Sequence, residues 1–321
     1  MTLIIGLRDD LIRGDTAHYR RGPLHALRIG LINNMPDAAL QATEAQFTSL
    51  LEAAAADDQV WLQFSSLPEV PRSLEVRARL ERQYWPLEAL LSEPLDALIV
   101  TGAEPRTELL SQEPYWIRFC SVVDWAARHT RASIWSCLAA HAAVEYLDGI
   151  RRRRLPEKCC GLYAHTVQSH ALTSALEAPL VTPQSRWNDL PEQALREAGY
   201  ALLSASEASG VNVFARERNS LMVFLQGHPE YDAATLLKEY RRDVQRFLEG
   251  QYPRYPTMPR HYFGAEATAR LEAYREEVLG RAEAREGPGF PYLPGPLMPA
   301  ASWRDGAVQL YRNWLRAIRR L

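Results

Sequence analysis

The chain has little cysteine, and no pattern in what it has. Cys120, Cys137, Cys159 and Cys160 in 321 residues do not make a disulfide framework. No two are spaced C-x-x-C for zinc or dithiol chemistry, and bridging the neighbours Cys159 and Cys160 would demand strained geometry. The expected location is a reducing cytoplasm. Missing too is any apolar run near the roughly 18–20 residues that span a bilayer. The N-terminus has no signal-peptide pattern, since Arg8, Asp9 and Asp10 soon interrupt its brief apolar stretch. A membrane partner is therefore not expected. Nor is there an excess of charge of one sign: 37 Lys+Arg against 39 Asp+Glu leave a net charge of −2, which gives no general pull toward nucleic acid. The one strong basic run, Arg151-Arg152-Arg153-Arg154, is isolated and reads as a solvated loop or a meeting point for phosphates.

What is present is ordinary globular composition, 47% hydrophobic and 24% charged, in a chain long enough for one large α/β domain with embellishments. Leu27–Asn33 reads as a buried parallel strand closed by the turn Asn33-Asn34-Met35-Pro36-Asp37, with a helix from about Leu40 to Ala56. Val60–Phe64 is a second strand, residues 74–92 an amphipathic helix, and Asp96–Thr101 a third strand ending in Gly102-Ala103. A helix over 114–129, the strand Ala132–Ser136 and a helix from Leu138 complete the alternation. Such regular strand–helix alternation predicts a doubly wound, mostly parallel sheet. Catalytic groups in such folds collect beyond the carboxyl ends of the strands, where Cys137, Gly102 and Asn33-Asn34 all fall. Further on, Tyr200–Ser204, Val211–Arg216 and Leu221–Leu225 read as short, partly antiparallel strands, and Asp232 as the cap of a helix to about Glu249. Residues 250–264 form an irregular wrap, 265–286 a charged helix, 287–301 a Pro/Gly loop, and Ser302 to Leu321 a closing helix. The division expected is an extension over 1–26, a catalytic α/β domain over 27–254, and a C-terminal extension over 255–321 packed upon it. No internal repeat is visible.

Cys137 stands where an apolar strand breaks into a helix, so its sulfur lies near the positive end of the helix dipole, a setting that favours a reactive thiolate. About ninety residues downstream, His228-Pro229-Glu230 follows a second apolar strand. A cysteine after a strand is most often structural and a lone loop histidine most often inert. The two together, with Glu230 spaced to hold the ring, make a nucleophile–base–orienter set. The backbone N–H of Leu138, joined by that of Met35 or of the Gly102-Ala103 turn, supplies a candidate oxyanion hole. His141, one helical turn beyond Cys137, is a competing base but points along the helix. Acyl transfer or amide cleavage is the chemistry this set predicts.

These residues also carry a resemblance. The segments Asn34-Met35-Pro36, Thr43–Phe47, Leu98–Ala103, Pro114-Tyr115-Trp116, Gly161–His165, Pro183–Arg186, Gly227-His228-Pro229-Glu230-Tyr231-Asp232 and Asn313-Trp314-Leu315 resemble the homoserine O-acyltransferases of methionine biosynthesis, of the homoserine O-succinyltransferase type. That family shares its flavodoxin-like fold and Cys–His–Glu triad with class I glutamine amidotransferases. The resemblance implies ping-pong transfer from an acyl-CoA co-substrate, with no bound cofactor or metal, through an acyl-cysteine on Cys137 to the hydroxyl of homoserine. It also implies a homodimer, and it assigns amino-acid binding to Lys158, Ser185 and Arg242. A guanidinium suits an α-carboxylate in a bidentate fork.

Three differences from the family pattern stand out. Asp37 and Ala38 replace lysines after Met-Pro, Leu138 replaces tryptophan after the cysteine, and Arg106 falls where glutamate goes with acetyl and glycine with succinyl donors. By charge, Arg106 suits the free carboxylate of a succinyl group. The alternatives are an O-acyltransferase for serine or another hydroxylated metabolite, an amidotransferase-type glutaminase, and a non-catalytic binding protein.

Overall fold

The structure, a computed structural model, describes residues 3–8, 23, 25–56, 58–280, 289–293 and 303–321. Its strands are β1 (Leu3–Gly6), β2 (Leu27–Ile32), β3 (Val60–Ser65), β4 (Ala97–Thr101), β5 (Ala132–Ser136), β6 (Arg153–Val167), β7 (Leu180–Asp189), β8 (Ala201–Ser206), β9 (Gly210–Glu217) and β10 (Leu221–Leu225). The α-helices are α1 (Asp37–Ala55), α2 (Leu74–Gln83), α3 (Leu87–Ser92), α4 (Trp116–His129), α5 (Leu138–Asp148), α6 (Glu192–Glu197), α7 (Thr235–Leu248), α8 (Ala265–Gly280) and α9 (Arg304–Arg320).

All ten strands join one sheet in the order β1-β3-β2-β4-β5-β10-β9-β8-β6-β7. The first six run parallel and the rest antiparallel. Within it, β3-β2-β4-β5-β10 is the 2-1-3-4-5 order of a flavodoxin-like doubly wound sheet, with β6–β9 inserted before the last of these strands. The apolar runs of β3, β4, β5 and β10 are buried throughout because helices cover both faces. Alternate residues serve opposite layers. Ile29, Leu31, Ile99, Ile134 and Val223 pack with Phe47 and Leu50 of α1 and Leu310 and Trp314 of α9. On the other face Ile32, Leu98, Val100, Trp135 and Phe224 pack with α3, α4 and α5.

Three expectations are corrected. Residues 74–92 are two helices, since Pro86 lacks an N–H and disfavours helical backbone at Trp85, whose own N–H instead donates to the Phe64 carbonyl at 2.8 Å. The helix expected from Leu40 starts at Asp37, directly after Pro36. The long pair β6 and β7 was not expected at all: arginines, prolines and Gly161 hide its period of two, yet it forms the far edge of the sheet. Residues 250–264 hold no helix or regular strand; their backbone joins the sheet at an isolated bridge from Arg260 to Gly161, and Tyr262 packs on Cys160 and Leu162 of β6. Gly161 is required there. It has φ +132, and a Cβ would fall 2.3 Å from the Arg260 backbone. Helix α8 is described as far as Gly280; residues 281–286 of the expected helix, and most of the 287–301 loop, lie outside the described residues. At the chain's ends, β1 pairs with β3 and α9 packs on α1. Among the described residues no helix is long and apolar enough to cross a membrane.

Candidate active site

The β5–α5 junction turns so sharply that Cys137 takes φ 51 and ψ −110, a left-handed setting that β-carbon sterics disfavour. The neighbouring chain enforces it. The Cys137 N–H donates to Leu225 at the end of β10 at 2.6 Å, and the Cys137 carbonyl accepts from Ala140 and His141 at 2.9 and 3.2 Å. From the other side Gly102, at the end of β4, lies so near that a Cβ there would sit 2.4 Å from that of Leu138. The thiol is half-buried and therefore reachable.

Beyond β10 the chain passes through Gly227, where a Cβ would fall 2.4 Å from Gln184 Nε2, into His228-Pro229-Glu230. His228 is pinned by its N–H to the Pro183 carbonyl at 2.8 Å, and its ring stacks on Tyr231 with centroids 4.2 Å apart. Nδ1 donates to Glu230 Oε1 at 2.8 Å, and Cys137 lies near enough to act on the charge of the imidazole. Burial pushes the His228 proton affinity down, but Cys137 and Glu230 outweigh it and hold the imidazole well above its ordinary range. The structure thus brings Cys137, His228 and Glu230 together at the ends of β5 and β10.

His141 is excluded as the base. It is buried, its Nε2 pairs with Gln226 Oε1 at 2.9 Å, and burial followed by the nearby Arg186 drives it down to about 3. The other cysteines are blunted by burial, Cys120 pushed up to about 11 and Cys160 to about 12.

Beside the triad lies a charged patch. Lys158 of β6 donates to Asp243 Oδ2 at 2.7 Å and lies 3.8 Å from Glu239 Oε2. Burial works against the Lys158 charge, but Glu239, Cys160 and Asp243 reverse this and strengthen its hold on the proton. Ser185 of β7 donates to Glu239 Oε2, while Tyr231 donates to Glu239 Oε1 at 2.8 Å. Arg242 pairs with Asp243 Oδ1 at 3.0 Å and keeps its side chain 47% exposed. Lys158, Ser185 and Arg242 thus converge through Glu239 and Asp243. Sequence reasoning missed Glu239, Asp243 and Tyr231 as site residues. The signal was there: positions 239, 242 and 243 share one face of α7, and Asp243 is a carboxylate on a buried position of that helix.

Arg106 stands apart. Its side chain is exposed on the loop after β4, and the loop's backbone is clamped by Glu113, whose Oε1 accepts from the N–H groups of Arg106 and Thr107 and from Thr107 Oγ1, each at 2.7 Å. Of the oxyanion candidates, the Leu138 N–H is the first of α5 and so has no partner within the helix. The Met35 N–H already donates to Asn33 Oδ1 at 3.2 Å. The arginine run is engaged: Arg153 with Asp189 at 2.7 Å, Arg152 with the Glu108 carbonyl at 3.1 Å, and Arg154 over the Trp187 ring.

Residues 11–319 match the homoserine O-succinyltransferase family as a whole. The homoserine O-succinyltransferase of Methylorubrum extorquens is 47% identical over 293 residues, covering 91% of this chain and 87% of that one. That of Rhodopseudomonas palustris is 47% identical over 301 residues, covering 92% and 89%. Among solved structures, a glutamine amidotransferase from Thermotoga maritima superposes with a TM-score of 0.49 at 14% identity, over 92% of this chain and 99% of that one. With a match along nearly its whole length and relatives this similar, the chain belongs to the homoserine O-succinyltransferase family.

Proposed function

We propose that the protein transfers a succinyl group from succinyl-CoA to the hydroxyl of homoserine through an acyl-cysteine on Cys137, as a step of methionine biosynthesis. The observation that carries this is the Cys137–His228–Glu230 line with a charged amino-acid patch at its side. The Cys137 sulfur gives its proton to His228 and attacks the thioester carbonyl. The developing oxyanion takes the Leu138 N–H. The carbon–sulfur bond to CoA breaks, and the CoA sulfur leaves with the proton from His228. Homoserine then loses its hydroxyl proton to His228, its oxygen attacks the acyl carbon, and the bond to Cys137 breaks as the sulfur recovers that proton. Glu230 keeps the Nδ1–H tautomer in place throughout, so that Nε2 faces the sulfur.

For the acceptor, Arg242 holds the α-carboxylate in a fork and Glu239 the α-ammonium, with Ser185 and Lys158 fixing Glu239 in turn. Tyr231 links the halves, stacked on His228 and bonded to Glu239. Arg106 meets the distal carboxylate of the succinyl group. The reading carries with it a cytoplasmic location, acyl-CoA as co-substrate with no bound cofactor, and a homodimer.

The test is intact-protein and peptide mass spectrometry with succinyl-CoA and no acceptor. A succinyl adduct on the Cys137 peptide, lost on adding homoserine, is expected. An active preparation that shows no adduct overturns the covalent route.

A further inference from the structure

Glu230 spends only one oxygen on His228. Oε1 accepts from Nδ1 at 2.8 Å, whereas Oε2 is buried and has no hydrogen-bond partner among the described residues. A carboxylate oxygen withdrawn from water without a donor is costly, so a fully used triad needs one. A donor in the same position of need lies close by. Tyr311, on the buried face of α9, is 0% exposed, and its hydroxyl also has no partner among the described residues. Burial first, and the negative charge of Glu230 second, raise its hold on its proton, so the two groups are near enough to feel each other. Buried tyrosine hydroxyls nearly always find an acceptor. Were packing alone at stake, phenylalanine would serve in this apolar layer.

Helix α9 is also held firmly against the catalytic turn. Trp303, one residue before the helix, donates from Nε1 to the Tyr231 carbonyl at 3.0 Å. Asn313 donates to the carbonyls of Leu172 and Ser174 at 3.0 and 2.7 Å. An edge-to-face contact of Tyr311 with Trp314, one turn on, fixes the side chain from the helix itself, with centroids 6.1 Å apart.

We infer that Tyr311 is a positioning residue of the triad: its hydroxyl reaches Glu230 Oε2 through one buried water, and so extends the line to Cys137–His228–Glu230–Tyr311. This rests on the triad reading above and goes beyond it. The added bond holds the carboxylate plane, keeping Oε1 on His228 Nδ1 while the imidazole gains and loses its proton. The C-terminal helix is then part of the catalytic support and not merely a cover for the sheet.

The test is Tyr311→Phe, which removes one oxygen and keeps the ring. His228 is faced by Cys137 from the β5–α5 elbow, by Glu230 and Tyr231 from its own turn, and through Tyr231 by Glu239 of α7. None of these changes in the variant. Expected are a fall in kcat of about tenfold with both KM values unchanged, the worth of one hydrogen bond to a charged group. The acid limb of the kcat/KM pH profile moves to higher pH, because a carboxylate short of a donor holds the imidazolium more tightly. Single-turnover succinylation of Cys137 slows in proportion. A variant with the parent's kcat and pH profile overturns the assignment, as does one that changes KM alone. If the parent itself forms no acyl-cysteine, the triad reading has failed and Tyr311 with it. If the parent forms it and the variant forms it equally fast, only the Tyr311 assignment falls.

Discussion

The two halves of the sheet carry different parts of the proposed site. The parallel half, β2 to β5 with β10, carries the proposed nucleophile and base on turns whose backbone is locked by neighbouring strands: Cys137 on the Leu225 carbonyl, His228 on that of Pro183. The antiparallel half carries the proposed acceptor patch on side chains, Lys158 from β6 and Ser185 from β7, held to α7 by an ion pair and a hydrogen bond rather than by backbone. Reacting atoms are thus placed by the main chain, where tenths of an ångström matter. The patch, in contrast, is a set of charges already paired with one another, whose partners a zwitterionic substrate can share. Damage to the first half should appear in kcat, and damage to the second in KM.

The largest effect belongs to the base. His228→Asn leaves Cys137 without a proton acceptor and should lower kcat by about three to four orders of magnitude with KM for homoserine little changed. Stopped-flow or steady-state thioester consumption measures it. Next comes Arg242→Ala, which removes the fork for the α-carboxylate. A charged hydrogen-bonded contact is worth about 2–3 kcal/mol, so KM for homoserine should rise by about thirtyfold or more while the single-turnover acylation of Cys137 by succinyl-CoA stays as it was. A variant that slowed acylation as much as acceptor turnover would erase the distinction between the halves.

The same contrast governs what could be read from the sequence. The parallel half is local: each strand is an apolar run followed by its own helix, so Cys137 and His228 fall at strand ends by inspection. Failures arose where tertiary contacts decide. β6 and β7 do not alternate cleanly because Arg153 and Lys158 answer to Asp189, Glu239 and Asp243, which are far along the chain. Glu239 went unmarked, since nothing in α7 alone shows that Ser185 and Tyr231 meet it. Nothing local sets Tyr311 apart within the closing helix. Its relation to Glu230 depends on how α9 lies across the sheet, which no local spacing records.

A smaller effect is a pH dependence of stability that divides the halves again. His141, on α5 behind the nucleophile, is driven down to about 3 by burial, and His165, on β6, to about 4, also chiefly by burial. In the unfolded chain both titrate near 6.5. As pH falls below about 6.5 the unfolded state binds protons that the folded state refuses, so stability present above that pH is lost progressively toward 3–4. Each histidine contributes about 1.4 kcal/mol per pH unit in that window. Urea unfolding from pH 7 to 4.5 should show this loss, and His165→Gln should remove about half of the two-histidine slope. An unchanged slope would mean that His165 is protonated in the folded protein.

The smallest expected effect concerns the acyl donor, and it tests whether the parallel half also chooses the substrate. Arg106 is exposed on the loop after β4, and Glu113 holds that loop by three contacts to one carboxylate oxygen. An exposed guanidinium exerts a screened attraction, about 1 kcal/mol or less on a donor carboxylate. Arg106→Gly should therefore lower kcat/KM for succinyl-CoA by about threefold to fivefold, leave acetyl-CoA unaffected, and lose its effect in high salt. Glu113→Gln keeps the arginine but weakens the clamp on its backbone. It should cost a similar factor, because a guanidinium on a loosened loop spends less time near the succinyl carboxylate. If both variants leave the ratio of succinyl-CoA to acetyl-CoA untouched, donor choice lies elsewhere in the crevice, and Arg106 is a surface residue whose backbone, not its charge, is what Glu113 holds.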